Sequence, residues 1–279
     1  MTLRAFVVGH PIAHSRSPLL HGFWLKQHGI DGTFERIDVT PEDFPEFLGS
    51  LEEQGFSGGC ITIPHKETAY RLVARRTERA ERLQAVNTVW LEDGVLHGDN
   101  TDVIGFIENL DVMLGADWPA LHRRALVLGA GGAARAVVAG LLDRGLERIT
   151  IANRSIDKAR ELVAFDPQRI GVIALGEVPG ALSQTDLLVN TTALGMTGKP
   201  PLDIDLSPLP GHAAVSDIVY APLETDILRQ ARQRGLKTVD GLGMLLYQGV
   251  PGFEHWYGVR PKVTPALRAL IEADLEGRS

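Results

Sequence analysis

"RRALVLGAGGAARAVVAGLLDRGLERITIANRS", Arg123 to Ser155, decides the fold. An apolar run from Ala125 to Leu128 stops at glycines, apolar residues then recur at helical spacing, and a second apolar run follows from Ile149 to Ala152. Strand, glycine turn, helix and strand within about 30 residues is the span of one βαβ unit, whose crossover makes the two strands parallel. The turn Gly129-Ala130-Gly131-Gly132-Ala133-Ala134 fits the G-x-G-x-x-G/A pattern of a dinucleotide site. Its glycines let backbone N–H groups approach a pyrophosphate, and the positive end of the next helix favours that charge. Gly129, Ala130, Gly131, Gly132 and Ala133 are therefore candidate cofactor residues.

The end of the second strand selects the nucleotide. An NAD-selective site places an acid there, about 20 residues after the glycines, to accept bonds from the ribose 2′-OH. This chain has Asn153, Arg154 and Ser155 instead. A planar guanidinium suits a 2′-phosphate, with Asn153 and Ser155 adding neutral donors, so NADP is the expected cofactor. Lys158 is a weaker candidate for the same phosphate.

Toward the C-terminus, further strands are readable at "IGVIAL", "DLLVNTT", "AAVSDIV" and "LKTVD", with helical stretches between several of them. This alternation predicts a mostly parallel sheet with helices on both faces. "GLGMLLYQGVPGFEHWYG" and "TPALRALIEADLEG" read as two amphipathic helices able to pack back on the N-terminal unit.

Toward the N-terminus, "RAFVVGHPI" is a strand, and "SPLLHGFWLKQHG" a helix with Ser17 as N-cap, Pro18 at its first position and Gly29 at its stop. "GTFERIDV" is a strand and "TPEDFPEFLGSLEEQG" a helix capped by Thr40. "GGCITI" is a third strand, ended by Pro64, and "ETAYRLVARRTERAERL" is mainly helical. "AVNTVWLEDGVLHGD" has the pattern of a hairpin turning at Glu92-Asp93-Gly94. "TDVIGFIENLDVMLG" is helical, with Asp102 as an N-cap candidate. The expected architecture is α/β, with an N-terminal α/β substrate domain over 1–103 completed by 240–279, and a Rossmann-like NADP-binding domain over 104–239.

Composition narrows the partners. The chain has 279 residues, 44% hydrophobic and 23% charged, which is ordinary for a globular protein with a sizeable core. A net charge of -7 argues against a broad basic surface for nucleic acid or anionic membrane and favours a small-molecule partner. The longest apolar tract, Ala125 to Leu142, is interrupted by Arg135 and glycines, so no membrane span is expected. The N-terminus lacks the apolar core of a secretory signal, and a cytoplasmic protein is expected. Cys60 is the single cysteine, which excludes an internal disulfide and a cysteine-built zinc site. His10, His14 and His65 do not have the spacing of a metal set, and no metal is expected.

Unusual polar residues gather at strand ends in the first unit. They are Ser15 and Ser17 in "HSRSP", Thr62 and Lys66 in "TIPHK", Asn87 in "AVNT", and Asn100 and Asp102 in "GDNTD". Together with "LGAGGAAR", "ANRS", "TALGM" and "GMLLYQ", in this order, these stretches resemble the shikimate dehydrogenase family over nearly the whole chain. The resemblance implies an enzyme of aromatic amino-acid biosynthesis that reversibly reduces 3-dehydroshikimate to shikimate with NADPH. It also implies two domains with the active site in the cleft between them.

Hydride arriving at a ketone carbon makes the carbonyl oxygen alkoxide-like, and a nearby ammonium stabilises that charge and supplies a proton. Lys66 suits this role, paired with Asp102 as in the family; which of the two moves the proton stays open. Ser15 and Ser17, two apart, can point the same way and donate to the carboxylate of the family's substrate, although Ser17 also reads as a plain helix cap. Thr62, Asn87 and Gln248 match positions that bind substrate hydroxyls in the family, with Tyr220 a lesser candidate. Gly243, which opens "GMLLYQ", is counted with the cofactor residues.

Four positions depart from the family's pattern. Cys60 stands where asparagine is common, Gln84 where glycine precedes "AVNT", Val103 where glycine follows "NTD", and Ala193 where serine is frequent. Losing glycine can exclude backbone conformations with positive φ, which bears on loop geometry. Two rival readings remain: a catabolic quinate/shikimate dehydrogenase, and a nucleotide-sensing homologue without turnover. A monomer or a homodimer is compatible with the sequence.

Overall fold

The computed structural model describes residues 2–277. The chain forms two compact units, one running to Thr101 and resuming at Gln248, the other spanning Asp102 to Tyr247.

The first unit opens with β1 (Leu3–Gly9), α1 (Ser17–His28), β2 (Gly32–Asp38), α2 (Phe44–Gly49) and β3 (Gly58–Ile61). It continues with α3 (Lys66–Leu72), β4 (Arg75–Arg76), α4 (Glu78–Leu83), β5 (Thr88–Glu92) and β6 (Val95–Asp99). The strands lie in the order β2-β1-β3-β5-β6-β4. β1 is parallel to β2 and β3, whereas β5 is antiparallel to both β3 and β6. The β5–β6 hairpin closes through Asp93 at φ 52 and Gly94 at φ 73, the left-handed pair that a two-residue turn requires.

The second unit begins with α5 (Asp102–Leu114), α6 (Trp118–Leu121), β7 (Arg124–Leu128), α7 (Gly132–Asp143), β8 (Arg148–Asn153), α8 (Ile156–Val163) and β9 (Ile170–Ala174). Then come α9 (Val178–Leu182), β10 (Leu187–Asn190), β11 (Ala214–Asp217), α10 (Asp226–Gln233) and β12 (Lys237–Val239). α11 (Leu242–Tyr257) leads from this unit back into the first, where α12 (Pro265–Leu275) ends the fold.

All pairings in the second sheet are parallel, in the order β12-β11-β10-β7-β8-β9. That order reverses direction between β7 and β10, the topological switch point where doubly wound sheets bind dinucleotides. Both faces are covered, and the pleat divides the apolar residues between them. Ala125, Val127, Leu187 and Val189 join the core under α5 and α7, while Leu126, Leu128, Leu188 and Val215 join the core under α9 and α10.

In the first unit, Phe6, Val8, Phe44, Phe56, Ile61 and Val89 share one core. The C-terminal half of α11 is fastened to this sheet by Trp256, whose indole N–H donates to the Val89 carbonyl at 2.8 Å. Tyr257 adds a hydroxyl bond to the Thr33 carbonyl at 2.7 Å.

Several local expectations are corrected. Thr40 does not start a long helix; only Phe44–Gly49 is helical, because Pro45 has no N–H to give the Pro41 carbonyl. The stretch 67–83 is broken in two. Ala74 N–H pairs with the Leu96 carbonyl and Thr77 N–H with the Gly98 carbonyl, after which the Thr77 hydroxyl caps α4 by accepting from Ala80 N–H. Ser17 is the first residue of α1 rather than its cap, Arg16 taking the cap position. Likewise α5 starts at Asp102 itself. Gln84 keeps the backbone that glycine would favour, with φ 52 at the end of α4.

Candidate active site

Four of the polar stretches meet at one edge of the first sheet, and the strand register explains why. Val8 pairs with Ile61, so the residues after β1 and β3 leave side by side. β5 runs antiparallel to β3, which brings Asn87, just before β5, next to the end of β3. β6 runs back along β5 with Thr88 opposite Asp99, so Asn100 and Thr101 emerge at the same edge.

Asn87 is the hub of this edge and is 3% exposed. Its Oδ1 accepts from the Thr101 N–H at 2.7 Å, the Thr88 hydroxyl at 2.9 Å and the Thr101 hydroxyl at 3.2 Å. Its Nδ2 donates to Gln248 Oε1 at 3.4 Å, which brings the start of the returning α11 segment to the same place. Asp102 follows Thr101 directly, so the bond to Asn87 also places its backbone.

Asn100 is held on both sides, by its own N–H to Asp99 Oδ1 at 2.7 Å and its Nδ2 to the Ala85 carbonyl at 3.1 Å. Asp99 is itself anchored by Arg79 at 2.5 Å and by the Thr77 hydroxyl. Sequence reasoning missed Thr88, Thr101 and Asp99 as supports, because nothing in their local pattern distinguishes them from strand residues.

Ser15 and Ser17 face each other, hydroxyl to hydroxyl, at 3.3 Å. The loop that carries them is fixed by Arg36, which donates to the Ser15 carbonyl at 2.9 Å. Thr62 lies against Gly9, where an added Cβ would sit 2.6 Å from the Thr62 methyl, so that close approach needs glycine. Lys66 opens α3 just after a tight turn in which His65 N–H donates to the Thr62 carbonyl at 2.9 Å.

His65 is a buried post for that turn. It stacks on Phe44 at 4.2 Å and bonds the Val39 carbonyl through Nε2 at 2.8 Å. Burial lowers its pKa, which favours the neutral ring. Among the described residues no group of His, Cys, Asp and Glu side chains is arranged to hold a metal ion.

In the second unit the glycine turn follows β7. Gly129 has φ 104, and a Cβ there would meet Thr191 Oγ1 at 2.8 Å, so the turn can pass beside the residues after β10 only as glycine. Gly131 precedes α7, Gly132 begins it, Ala130 and Ala133 flank them, and no side chain caps the helix. Added Cβ atoms at Gly131 and Gly132 would meet nothing within 4 Å, which leaves open space over the helix N-terminus.

At the end of β8, Asn153 Nδ2 donates to the Ser155 carbonyl at 2.8 Å and shapes the turn. Arg154 is exposed and has no hydrogen-bond or ion-pair partner among the described residues. No acid takes the place of the ribose-binding carboxylate. An open helix N-terminus beside an unpaired guanidinium therefore suits a 2′-phosphorylated dinucleotide.

Gly243 is buried in α11, where a Cβ would overlap Asn109 Oδ1, so packing alone requires glycine there. Tyr220 lies in the segment after β11, on the second unit and apart in sequence from the Asn87 edge. A buried carboxylate stands nearby in sequence. Burial pushes Asp217 up to about 6, although it accepts bonds from Val219 N–H, the Thr225 hydroxyl and Asn190 Nδ2.

The sequence matches three family models: the shikimate dehydrogenase substrate binding domain at residues 7–89, shikimate / quinate 5-dehydrogenase at 118–196, and the shikimate 5′-dehydrogenase C-terminal domain at 241–271. The shikimate dehydrogenase (NADP(+)) of Methylobacterium radiotolerans is 59% identical over 278 residues, covering 99% of each chain. Among solved structures, shikimate 5-dehydrogenase from Thermus thermophilus in complex with NADP(H) and shikimate matches with TM-score 0.84, 35% identity and 100% coverage of both chains. Quinate dehydrogenase from Corynebacterium glutamicum in complex with NAD matches with TM-score 0.89 at 28% identity, covering 97% of this chain and 98% of that one.

Proposed function

Because the chain belongs to the shikimate dehydrogenase family, we infer that it catalyses the reversible NADPH-dependent reduction of 3-dehydroshikimate to shikimate, a step toward chorismate and the aromatic amino acids. The observation that carries the cofactor side of this reading is Arg154, an unpaired cation at the end of β8 where an NAD-selective site needs an acid.

When bound, NADPH supplies the hydride. The backbone N–H groups of Gly131, Gly132 and Ala133 take the pyrophosphate at the start of α7, and Arg154, with Asn153 and Ser155, takes the 2′-phosphate. Gly129 and Ala130 form the turn beneath it. Gly243 contributes by letting α11 begin close to Asn109.

On the substrate side, Ser15 and Ser17 donate to the carboxylate, and Thr62, Asn87 and Gln248 bind ring hydroxyls, with Tyr220 in a lesser role. With hydride supplied to the carbonyl carbon, the ammonium of Lys66 would donate to the oxygen, and the Lys66 and Asp102 pair would deliver the proton that completes the alcohol. Asp102 holds a substrate hydroxyl and the lysine charge. In the reverse direction the same pair takes the proton as hydride leaves. Asn87 and Gln248 also set specificity, since a ligand lacking a hydroxyl forgoes the bonds they would make to it.

Among the described residues no helix is long and apolar enough to cross a membrane. A small polar substrate and a freely diffusing cofactor suit an enzyme of the cytoplasm. Steady-state oxidation of shikimate and of quinate, each with NADP+ and NAD+, tests the assignment. Preference for shikimate with NADP+ is expected; preference for quinate with NAD+ would make the chain a quinate dehydrogenase, and NADP+ binding without turnover would make it a sensor.

A further inference from the structure

The loops after β10 and β11 are joined through one buried side chain that the chemistry above does not use. Asp217, at the end of β11, is 0% exposed. Its Oδ1 accepts from Asn190 Nδ2 at 2.9 Å and from Val219 N–H at 3.0 Å, and its Oδ2 accepts from the Thr225 hydroxyl at 2.7 Å. Asn190, at the end of β10, in turn organises its own loop. Its second amide hydrogen goes to the Leu194 carbonyl at 3.2 Å, and its Oδ1 accepts from the Thr192 N–H at 3.0 Å and the Thr192 hydroxyl at 2.7 Å.

The two loops also touch directly, through Thr197 N–H to the Ala221 carbonyl at 2.8 Å. The loop after β11 then passes under the start of α11, where a Cβ on Gly241 would overlap the Ile218 carbonyl oxygen. Asp217 engages both carboxylate oxygens, so one buried side chain bonds to both loops.

Both loops stand at the carboxyl ends of strands in the β10–β12 half of the sheet, across the switch point from the glycine turn and Arg154. In such a sheet each half takes one mononucleotide of the dinucleotide. The β7–β9 half carries the pyrophosphate turn and the 2′-phosphate cation, which leaves the nicotinamide mononucleotide to the other half. We propose that Asp217 is a positioning residue for the nicotinamide end of the cofactor: it locks the 190–197 and 218–225 loops into one wall, and its loss loosens that end alone. The inference rests on the NADP reading above and goes beyond it by dividing the cofactor's binding between two separately held parts.

The test compares NADP+ with adenosine 2′,5′-bisphosphate, which keeps the 2′-phosphate and adenosine but lacks the nicotinamide half. Affinities are measured by calorimetry on the whole chain, with melting temperature as a control. Asp217→Ala is expected to weaken NADP+ about tenfold, the worth of one or two hydrogen bonds to a charged group, and to leave the bisphosphate within about twofold. Asp217→Asn is expected to stay close to the parent for both ligands. Its Oδ1 still accepts from Asn190 and Val219, and its amide can donate to the Thr225 hydroxyl oxygen.

If Asp217→Ala does not fold, Thr225→Val carries the same comparison, with a several-fold loss expected for NADP+ only. Equal weakening of both ligands, or unchanged NADP+ affinity, overturns the inference and leaves the functional reading intact. Failure of the parent chain to bind either ligand overturns both.

Discussion

Asn87 accepts the Thr101 backbone N–H at 2.7 Å, so a residue just before β5 sets where the chain leaves β6. Through that bond and the contact to Gln248, three separated parts of the sequence are held at one edge of the first sheet. Asn87→Ala leaves the buried Thr101 N–H short of its acceptor, while the Thr88 and Thr101 hydroxyls keep their bond to each other at 3.0 Å. A loss of about 2 kcal/mol in unfolding free energy is expected from the unsatisfied donor. Denaturant titration checks it, and kcat/KM for shikimate should fall by more than that stability loss alone would cause at a temperature where the variant is folded.

Lys66→Ala removes the proposed donor to the carbonyl oxygen. A drop in kcat of about 10²–10⁴-fold is expected from the loss of general acid catalysis, with NADP+ affinity unchanged. Turnover near the parent value in a folded variant would remove Lys66 from the mechanism.

Arg154→Ala should discriminate between the cofactors. A charge-assisted bond to the 2′-phosphate is worth about 1.5–3 kcal/mol, so KM for NADP+ is expected to rise about 10–100-fold. KM for NAD+, which has no 2′-phosphate, should change little. A parallel rise for both cofactors would mean that the guanidinium contacts something they share.

Gln84 carries a side chain at φ 52, in the left-handed region. The crowding of Cβ against the carbonyl costs about 1–2 kcal/mol there, part of which glycine gives back as unfolded-state entropy. Gln84→Gly is expected to raise stability by about 0.5 kcal/mol with no change in kinetics. Chemical denaturation of the pair measures it, and a destabilised variant would contradict the strain argument.

His21 is fully buried in α1, stacked on Phe34 at 4.1 Å and edge-on to Trp24 and Trp256, and neither ring nitrogen has a hydrogen-bond partner among the described residues. Burial pushes its pKa from the ordinary 6.5 down to about 3. The folded state therefore holds the neutral ring where the unfolded chain would bind a proton. This contribution is fully present above pH 6.5 and is lost as pH falls toward 3. Relative to His21→Phe, the parent should lose up to about 1.4 kcal/mol per pH unit across that window. Equal acid slopes for the two proteins would show that the ring is protonated without opening the core.

Asp217 acts in the opposite sense. Its carboxyl, raised to about 6, favours the folded state as pH falls from that value toward its ordinary 3.8. The two groups offset one another over the shared range, which is why the comparison with His21→Phe, rather than the parent's own acid curve, isolates the histidine.

Features with a local cause were legible in the sequence. The β7-turn-α7-β8 segment follows from hydrophobic period and glycine placement within a short window, and so does the Asp93-Gly94 hairpin turn. The basic residue after β8 likewise declares its chemistry by position alone. The strand-end residues Ser15, Thr62, Lys66 and Asn87 stood out because they are polar where apolar runs stop.

What depended on partners far along the chain was decided only in three dimensions. The helical pattern over 67–83 breaks because β6 offers Leu96 and Gly98 carbonyls to Ala74 and Thr77, a pairing that no local propensity encodes. Asn87 became a hub, His21 a neutral core ring and Asp217 a buried clamp through atoms contributed from distant segments. Hydrogen-bond satisfaction and burial are properties of the assembled surroundings, so the sequence by itself determined the elements with a local cause and the chemistry they carry, and the tertiary structure determined where other elements break and which side chains hold that chemistry in place.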